Sequence, residues 1–465
     1  RQMKVFPFFC CAIVLFFLSG CALLRRTEPY APVRISGTAQ KTPESRHDKT
    51  PIDMAATDSL TLDACISATL TNNPDLQAAI AETNAAEARQ RQARSALLPS
   101  LRVESGYEHY SDRQRILPPH GGGEPGVFSD RLGRAEAVVS VPLFAGGRFI
   151  NGMRAAAHPR EAQQWQSGRL RDELVFGVAR LYHSIQGLDK RALSLEQSLE
   201  AMRAQRRRVA AMLEAKKAAR VDLLRTDVRV AELERRLLVV RNEQAALRAR
   251  LGSLMAADIT HRPFAYQEMV DTSALVVDKD TILAQALQNR GDYQAARQQC
   301  EAQARRVDIA RGAFLPVLSA KAGYGIRSDL AGEHELGGST GIGLSIPLVE
   351  GGRHAAKADE ERALLAARQE RMEALRSRIG AEIETAMLDI ASARERLASA
   401  RAAIKAAEEG LRIENVKYEQ GKGTISEVFD AQAELLATQT DRDEAAGALL
   451  IALAQLRFVT GGPLN

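Results

Sequence analysis

The sequence predicts a mainly α fold with membrane β-strands, built from a duplicated helix–strand–strand–helix unit. Three observations predict it. Aromatic residues are only 5% of the 465, with one Trp, while Ala, Leu, Arg, Glu and Gln fill long stretches, a mixture typical of long helices. Landmark motifs recur at constant offsets. Short segments alternate apolar and polar residues between those helices.

Composition also limits the partners. Lys and Arg number 63 against 58 Asp and Glu, giving a net charge of +5. The signs are interleaved along helical stretches, as in Glu232-Leu233-Glu234-Arg235-Arg236, which reads as solvated helix faces with i,i+4 pairs. No isolated basic block or zinc spacing points to nucleic acid, so none is expected.

At the N-terminus, Lys4 precedes an apolar run from Val5 to Leu18, followed by Leu18-Ser19-Gly20-Cys21. This reads as a secretory signal over residues 1–20. The run is short for a transmembrane helix. It resembles a lipoprotein signal, which implies cleavage before Cys21, palmitate and further acyl chains there, and an acylated linker over 21–57. Ala22 rather than Asp follows, so nothing signals retention at the inner membrane. The first residue is Arg, and the start of translation is expected at Met3. Of the remaining cysteines, Cys65 and Cys300 read as small apolar fillers.

The duplication places a first repeat over 58–262 and a second over 263–465. Asn72-Asn73-Pro74-Asp75-Leu76-Gln77-Ala78-Ala79 recurs as Asn289-Arg290-Gly291-Asp292-Tyr293-Gln294-Ala295-Ala296, 217 residues later. Leu98-Pro99 and Leu315-Pro316 keep that offset, as do Tyr107 and Tyr324. Val141-Pro142-Leu143-Phe144-Ala145-Gly146-Gly147-Arg148 then recurs as Ile346-Pro347-Leu348-Val349-Glu350-Gly351-Gly352-Arg353, 205 residues later. The first copy therefore holds 12 extra residues, expected in the Pro/Gly-rich loop Leu117–Gly126.

Each repeat opens with an Ala-rich helix, about 59–96 and 280–313, ended by Pro99 and Pro316. Strands are predicted at 101–110, 134–143, 317–327 and 340–348. One face carries Leu101, Val103 and Tyr107 in the first, and Ile342, Leu344, Ile346 and Leu348 in the last. The other carries residues such as Arg102, Glu104 and Glu136. Period-2 alternation over about ten residues fits strands with lipid outside and water inside. After the strand-to-helix turns at Pro142, Gly146, Gly147 and Pro347, Gly351, Gly352, helices follow over 148–213 and 353–417, each ~100 Å if unbroken. Pro159 and Gly168 are candidate kinks in the first. Turns at 215–221 and 420–425 then send helices back over 222–252 and 426–459.

Four strands cannot close a membrane barrel, and open edges are not tolerated in lipid. Partner chains are therefore required, and three chains would supply twelve strands, above the smallest outer-membrane barrels.

In order, these motifs resemble the TolC-type outer-membrane efflux channel family over about 58–462, with the turn Tyr418-Glu419-Gln420-Gly421-Lys422-Gly423-Thr424-Ile425 adding to the match. The resemblance implies a homotrimer: a 12-stranded β-barrel in outer-membrane lipid, continued by a long periplasmic α-helical barrel. It implies passive passage of substrates in a tripartite efflux or type I secretion system, with a periplasmic membrane-fusion adaptor and an inner-membrane pump of RND or ABC type. It also implies an acidic ring at the periplasmic aperture, at Glu427 and Asp430. Clustered carboxylates raise one another's pKa and favour cations. Gate links are implied at Asp222 and Tyr418, with Lys422 beside Gly423, which stands where the family usually has Arg.

No P-loop, G-x-S-x-G, H-E-x-x-H or C-x-x-C motif is present. No enzymatic activity, cofactor or metal is expected, and His158 and His354 read as surface residues. The competing class is a periplasmic coiled-coil adaptor or structural lipoprotein without a pore. It accounts for helices and lipid but not for two copies of paired strands.

Overall fold

The computed structural model describes residues 59–117, 127–265, 278–330, 332 and 334–462. The expected signal, the linker and Cys21 lie outside them, as does most of the Leu117–Gly126 loop. The repeat unit occurs twice. In the first copy, α1 (Leu62–Asn72) and α2 (Pro74–Ser95) lead to β1 (Ser100–Leu117) and β2 (Val127–Ala145), then α3 (Arg148–Glu214) and α4 (Arg220–Met255). In the second, α5 (Lys279–Asn289) and α6 (Gly291–Gly312) lead to β3 (Val317–Ser328) and β4 (His334–Ser345), then α7 (Arg353–Glu419) and α8 (Ile425–Thr460). The bounds of α1, α2 and their counterparts keep the 217-residue offset, and those of the long helices keep 205.

The opening stretches are not single helices. Asn73 is extended and its side chain accepts from the N–H groups of Asp75 and Leu76 at 3.0 and 3.2 Å. Pro74 occupies the first helical position, where a missing N–H costs nothing, and a residue before Pro avoids helical geometry. In the second copy Arg290 holds the same extended place. The long helices α3 and α7 each run 67 residues, ~100 Å, and Pro159 lies inside α3 without ending it. No helix among the described residues is long and apolar enough to cross a membrane.

The four strands form one antiparallel sheet in the order β1-β2-β3-β4. The register aligns the alternation predicted from sequence into rows four residues wide. Leu101–Val139–Ala322–Thr340, Val103–Ala137–Tyr324–Gly338 and Ser105–Ala135–Ile326–Leu336 share one face. Glu104–Glu136–Gly325–Gly337 and Gly106–Arg134–Arg327–Glu335 share the other. Several boundaries differ from expectation: β1 runs on to Leu117, β2 begins at Val127 rather than 134, and β4 begins at His334 rather than 340. Strand β1 is 18 residues long against 12 for β3, so the first copy's extra residues lengthen the hairpin as well as its loop. Strand β4 stops at Ser345 rather than 348, because Ser345 pairs with Val317, the first residue of β3. Beyond it no strand among the described residues pairs with 346–350.

The two repeats meet along one seam. Strand β2 pairs with β3, and α3 packs on both α6 and α8. Approach there is close: a Cβ on Gly146 would lie 2.2 Å from the Gly312 carbonyl oxygen, and one on Gly291 2.2 Å from that of Trp165. Near the end of α8, buried Arg290 donates to Asp292 at 3.0 and 2.6 Å, to Glu382 at 2.6 Å and to the Val459 carbonyl at 3.3 Å. Arg169 stacks 3.7 Å above the Phe458 ring and donates to the Phe458 carbonyl at 3.1 Å. The first copy solves the same junction with Asn73, whose amide donates to the Leu254 carbonyl at 3.1 Å.

Candidate functional site

The returning ends of the helical hairpins form the site, and their turns share one geometry. Helix α3 closes at Ala215, with Lys216 left-handed (φ 59) and the Lys217 N–H on the Met212 carbonyl at 2.7 Å. Helix α7 closes at Gln420, with Gly421 left-handed (φ 69) and the Lys422 N–H on the Lys417 carbonyl at 2.9 Å. These are Schellman closures, which favour glycine at the left-handed position. Only the second copy has it.

The N-terminal ends of the return helices differ more. At α8, Thr424 and Glu427 cap reciprocally: the Glu427 carboxylate accepts the Thr424 N–H at 2.6 Å, and the Thr424 hydroxyl accepts the Glu427 N–H at 3.4 Å. At α4, Ala219 supplies no side-chain acceptor, and only the Asp222 carboxylate answers, accepting the Ala219 N–H at 3.4 Å.

All four helices contribute to the apolar core behind the turns, which includes Val209, Leu233, Tyr418, Ile425, Val428 and Phe429. Polar contacts tie the hairpins together around it. Arg208 pairs with Glu419 at 2.8 Å, Arg225 donates to the Ser426 hydroxyl at 3.4 Å, and Gln432 donates to the Ser198 carbonyl at 3.3 Å. These long-range pairs carry no sequence signal, because their members lie about two hundred residues apart.

The structure places the expected site residues in different surroundings. Glu427 is exposed, but its carboxylate is engaged by its own cap; the Thr424 backbone N–H and then the Thr424 hydroxyl hold it below the usual carboxylate range. Asp430 is exposed, and no hydrogen bond or ion pair engages it among the described residues. It borders an open groove of about 430 Å³ shared with Leu224, Arg225, Val228, Arg229 and Phe429. Glu232 also lines the groove and pairs with Arg229 at 2.6 Å, so both charge signs accompany Asp430 there, a feature the sequence reading missed. Tyr418 is buried, and its hydroxyl has no hydrogen-bond partner among the described residues. Burial, then the charge of nearby Asp222, pushes its pKa up. Lys422 is exposed and makes no ion pair among the described residues. A side chain at Gly423 would begin 3.1 Å from the Lys417 Cβ.

At the opposite ends of the long helices, Gly146, Gly147, Gly351 and Gly352 all have positive φ, between 58 and 79. They reverse each strand into its helix, which Pro142 and Pro347 precede by four residues. The histidines hold local contacts: His158 with Gln298 at 2.8 Å and His354 with Glu350 at 3.3 Å. Cys65 is buried, which pushes its thiol up to about 11, and Cys300 is half-buried.

Comparison with known proteins follows the same two-part layout. The profile of the outer membrane efflux protein family matches residues 65–257 and 282–462. The outer membrane efflux protein BepC of Brucella suis biovar 1 (strain 1330) is 26% identical over 330 residues, covering 69% of this chain and 70% of BepC. The multidrug resistance outer membrane protein MdtP of Escherichia coli (strain K12) is 30% identical over 277 residues, spanning about half of each chain, 54% and 54%. Among solved structures, the outer membrane channel CmeC of Campylobacter jejuni superposes with a TM-score of 0.75 at 14% identity, covering 91% of this chain and 94% of that one.

Proposed function

The chain belongs to the outer membrane efflux protein family, and from that premise we propose that it works as a homotrimeric outer-membrane channel. Its barrel passes substrates delivered by a periplasmic membrane-fusion adaptor and an inner-membrane pump of RND or ABC type. It resides in the outer membrane, with the helices extending into the periplasm. Cys21 would add a lipid anchor. The energy for transport comes from the pump, and the channel residues supply a path rather than a reaction.

One observation carries the oligomeric reading: each repeat needs a neighbour on both sides, and the chain supplies only one. Phe429 on α8 is 9% exposed within the core that all four helices build, whereas its repeat counterpart Leu224 on α4 is 54% exposed. Val228 and Leu238 lie bare on the same helix. Strands β1 and β4 likewise keep one open edge each. A second seam, formed by β4, α7 and α4 with a neighbouring protomer, would cover all of these. Three protomers then make a pseudo-six-fold wall. Lumen and lipid faces follow from the rows of the sheet: apolar rows outward, the Glu104 and Arg134 rows inward.

At the tip, Asp430 is the aperture carboxylate free to act on passing ions, and Glu427 holds the turn. Asp222 and Tyr418 lie close enough to interact electrostatically, which supports their role as a gate link. Mass of the detergent-solubilised assembly, corrected for bound detergent, tests the reading. A trimer with bilayer conductance is expected; a stable monomer without conductance would overturn it.

A further inference from the structure

A groove of about 430 Å³ opens between the helical hairpins, and its charged lining is mostly basic. Lys190 and Leu193 line it from α3, Leu397 and Arg401 from α7, and Arg442 and Asp443 from α8, which packs on both other helices. Three cations therefore share the groove with one carboxylate. Asp443 is only 5% exposed and already pairs with Arg442 at 2.8 Å. On the adjoining turns Asp189 pairs with Arg248 and Glu444 with Arg191, both at 3.5 Å. Leu193 is left 52% exposed at the same place.

The connection between the two repeats starts and ends beside this groove. Ala265 is held on α3, where its carbonyl accepts from the Tyr182 hydroxyl at 2.5 Å and the Gln186 amide at 2.6 Å. Lys190 and Leu193 follow Gln186 by four and seven residues, on the same helix face. At the other end Asp278 caps α5, whose Lys279 pairs with Glu384 of α7 at 2.7 Å and whose Ile282 is buried with Ile379 and Ile383. Leu397 and Arg401 follow those two isoleucines by eighteen residues, about five whole turns, and so share their face. Residues 266–277 join the two points and lie outside the described residues. Their sequence has two carboxylates, Glu268 and Asp271, no basic residue, and the apolar run Ala274-Leu275-Val276-Val277. Extended, the chain from Ala265 to Asp278 reaches ~43 Å. Following α3 from Gln186 to Leu193 and α7 from Leu397 back to Glu384 takes ~10 and ~20 Å, which leaves enough to cross between them.

We propose that segment 266–277 of the same chain occupies this groove, with Glu268 and Asp271 meeting its cations and the apolar run covering Leu193. The groove calls for an acidic and apolar occupant, and this segment is both, with its two ends fixed at the groove. It braces α3 against α7 across the seam between repeats, and it takes the groove out of reach of a periplasmic partner. The contact lies within one protomer, so it stands apart from the channel reading.

The test uses the full chain in detergent, with Cys65→Ala and Cys300→Ala. Leu193→Cys is combined in turn with Val270→Cys and with Leu275→Cys, and the disulfides formed on mild oxidation are located by peptide mass. At least one pair should close within a single chain, while Leu98→Cys, at the far end of the helices, should close with neither. Lys190→Glu with Arg401→Glu should lower the closed fraction by about fivefold, and adding Glu268→Lys with Asp271→Lys should restore it. Closure by neither pair would overturn the proposal. So would a lone Leu193→Cys thiol that a bulky maleimide labels as fast in the native protein as in urea, which would leave the groove to an acidic helix of a periplasmic partner. Disulfides formed only between chains would overturn it in favour of the neighbouring protomer's segment. Closure unchanged by the charge reversal would overturn the charge pairing on which the proposal stands.

Discussion

Replacing Arg290 by Met should weaken the fold by removing a buried cation that serves two carboxylates. The side chain is 2% exposed and satisfies the carboxylates of Asp292 and Glu382 together with the Val459 carbonyl. Removing one partner of a buried ion pair typically costs about 3–5 kcal/mol, because the other charge stays behind unpaired. Here the stranded carboxylates keep some water, at 29% and 36% side-chain exposure, and Arg169 remains 3.9 Å from Asp292. The lower end, about 3 kcal/mol, is therefore expected, more than a hundredfold in the folded-to-unfolded ratio. Guanidinium denaturation of the purified assembly, followed by the helical circular dichroism signal, measures it. Adding Glu382→Gln to Arg290→Met should recover about 1 kcal/mol, since one stranded charge disappears. The pH dependence has a fixed sign. Burial raises the Asp292 pKa, but hydrogen bonds and charge from Arg290 more than offset this, and the net shift is downward. Its stabilisation is thus full above the unfolded carboxylate value of about 4 and is lost as pH falls through the lower folded value. In Arg290→Met that acid-side loss should shrink. A variant within about 1 kcal/mol of the parent would refute the reasoning, because an exposed ion pair accounts for that much.

Three further outcomes follow from the turns and the aperture. Gly146→Ala should block assembly, since its new Cβ meets the Gly312 carbonyl at 2.2 Å, whereas Gly351→Ala, with open space around it in the protomer, should cost only the left-handed penalty of about 1–2 kcal/mol; heat-dissociation of the assembly on gels separates the two. Lys216→Gly should stabilise the first tip turn by about 1 kcal/mol and Gly421→Ala should destabilise the second by a similar amount, both readable in the denaturation midpoint. Asp430→Asn should lower cation preference in single-channel recordings more than Glu427→Gln, whose parent carboxylate is committed to Thr424; equal effects would show that the cap opens in the assembled channel.

The repeats, the helix order and the alternating faces of the strands were legible because each depends on local pattern. Gly-Gly pairs and X-Pro junctions announced the turns. The breaks at Asn73 and Arg290 read as continuous helix, although Asn73-Pro74 and Gly291 are local stop signals, because the stretches around them are Ala-rich. The end of β4 was not legible, because it is set by where β3 begins rather than by its own side chains. At the tip, Glu427 and Asp430 look alike in sequence. They differ because one falls three residues after a Thr cap, whereas the other borders a groove lined also by a helix two hundred residues away.

The open seam can be specified to the residue, and this gives the sharpest test of assembly. Inside the chain, Ala137 pairs with Tyr324 and Val139 with Ala322. Carrying each strand by its own repeat offset turns these pairs into Ile342 with Tyr107, and Leu344 with Ser105, of a neighbouring protomer. The same step gives 346–350, unpaired among the described residues, partners near the start of β1. Every transposed pair puts side chains on the same face, as an antiparallel ladder requires. The helical part of the seam cannot be a perfect copy. Gly312 approaches Gly146 so closely that a Cβ would sit 2.3 Å from its carbonyl oxygen, and Ser95, which replaces Gly312 at the second seam, has a Cβ. The spacing between protomers there must be wider than that within one. In a variant with Cys65 and Cys300 replaced by Ala, Leu344→Cys with Ser105→Cys should cross-link into covalent trimers on oxidation. Gly343→Cys with Ser105→Cys, which puts the thiols on opposite faces, should not. Cross-linking by the second pair alone would mean a register slipped by one residue and would refute the transposition.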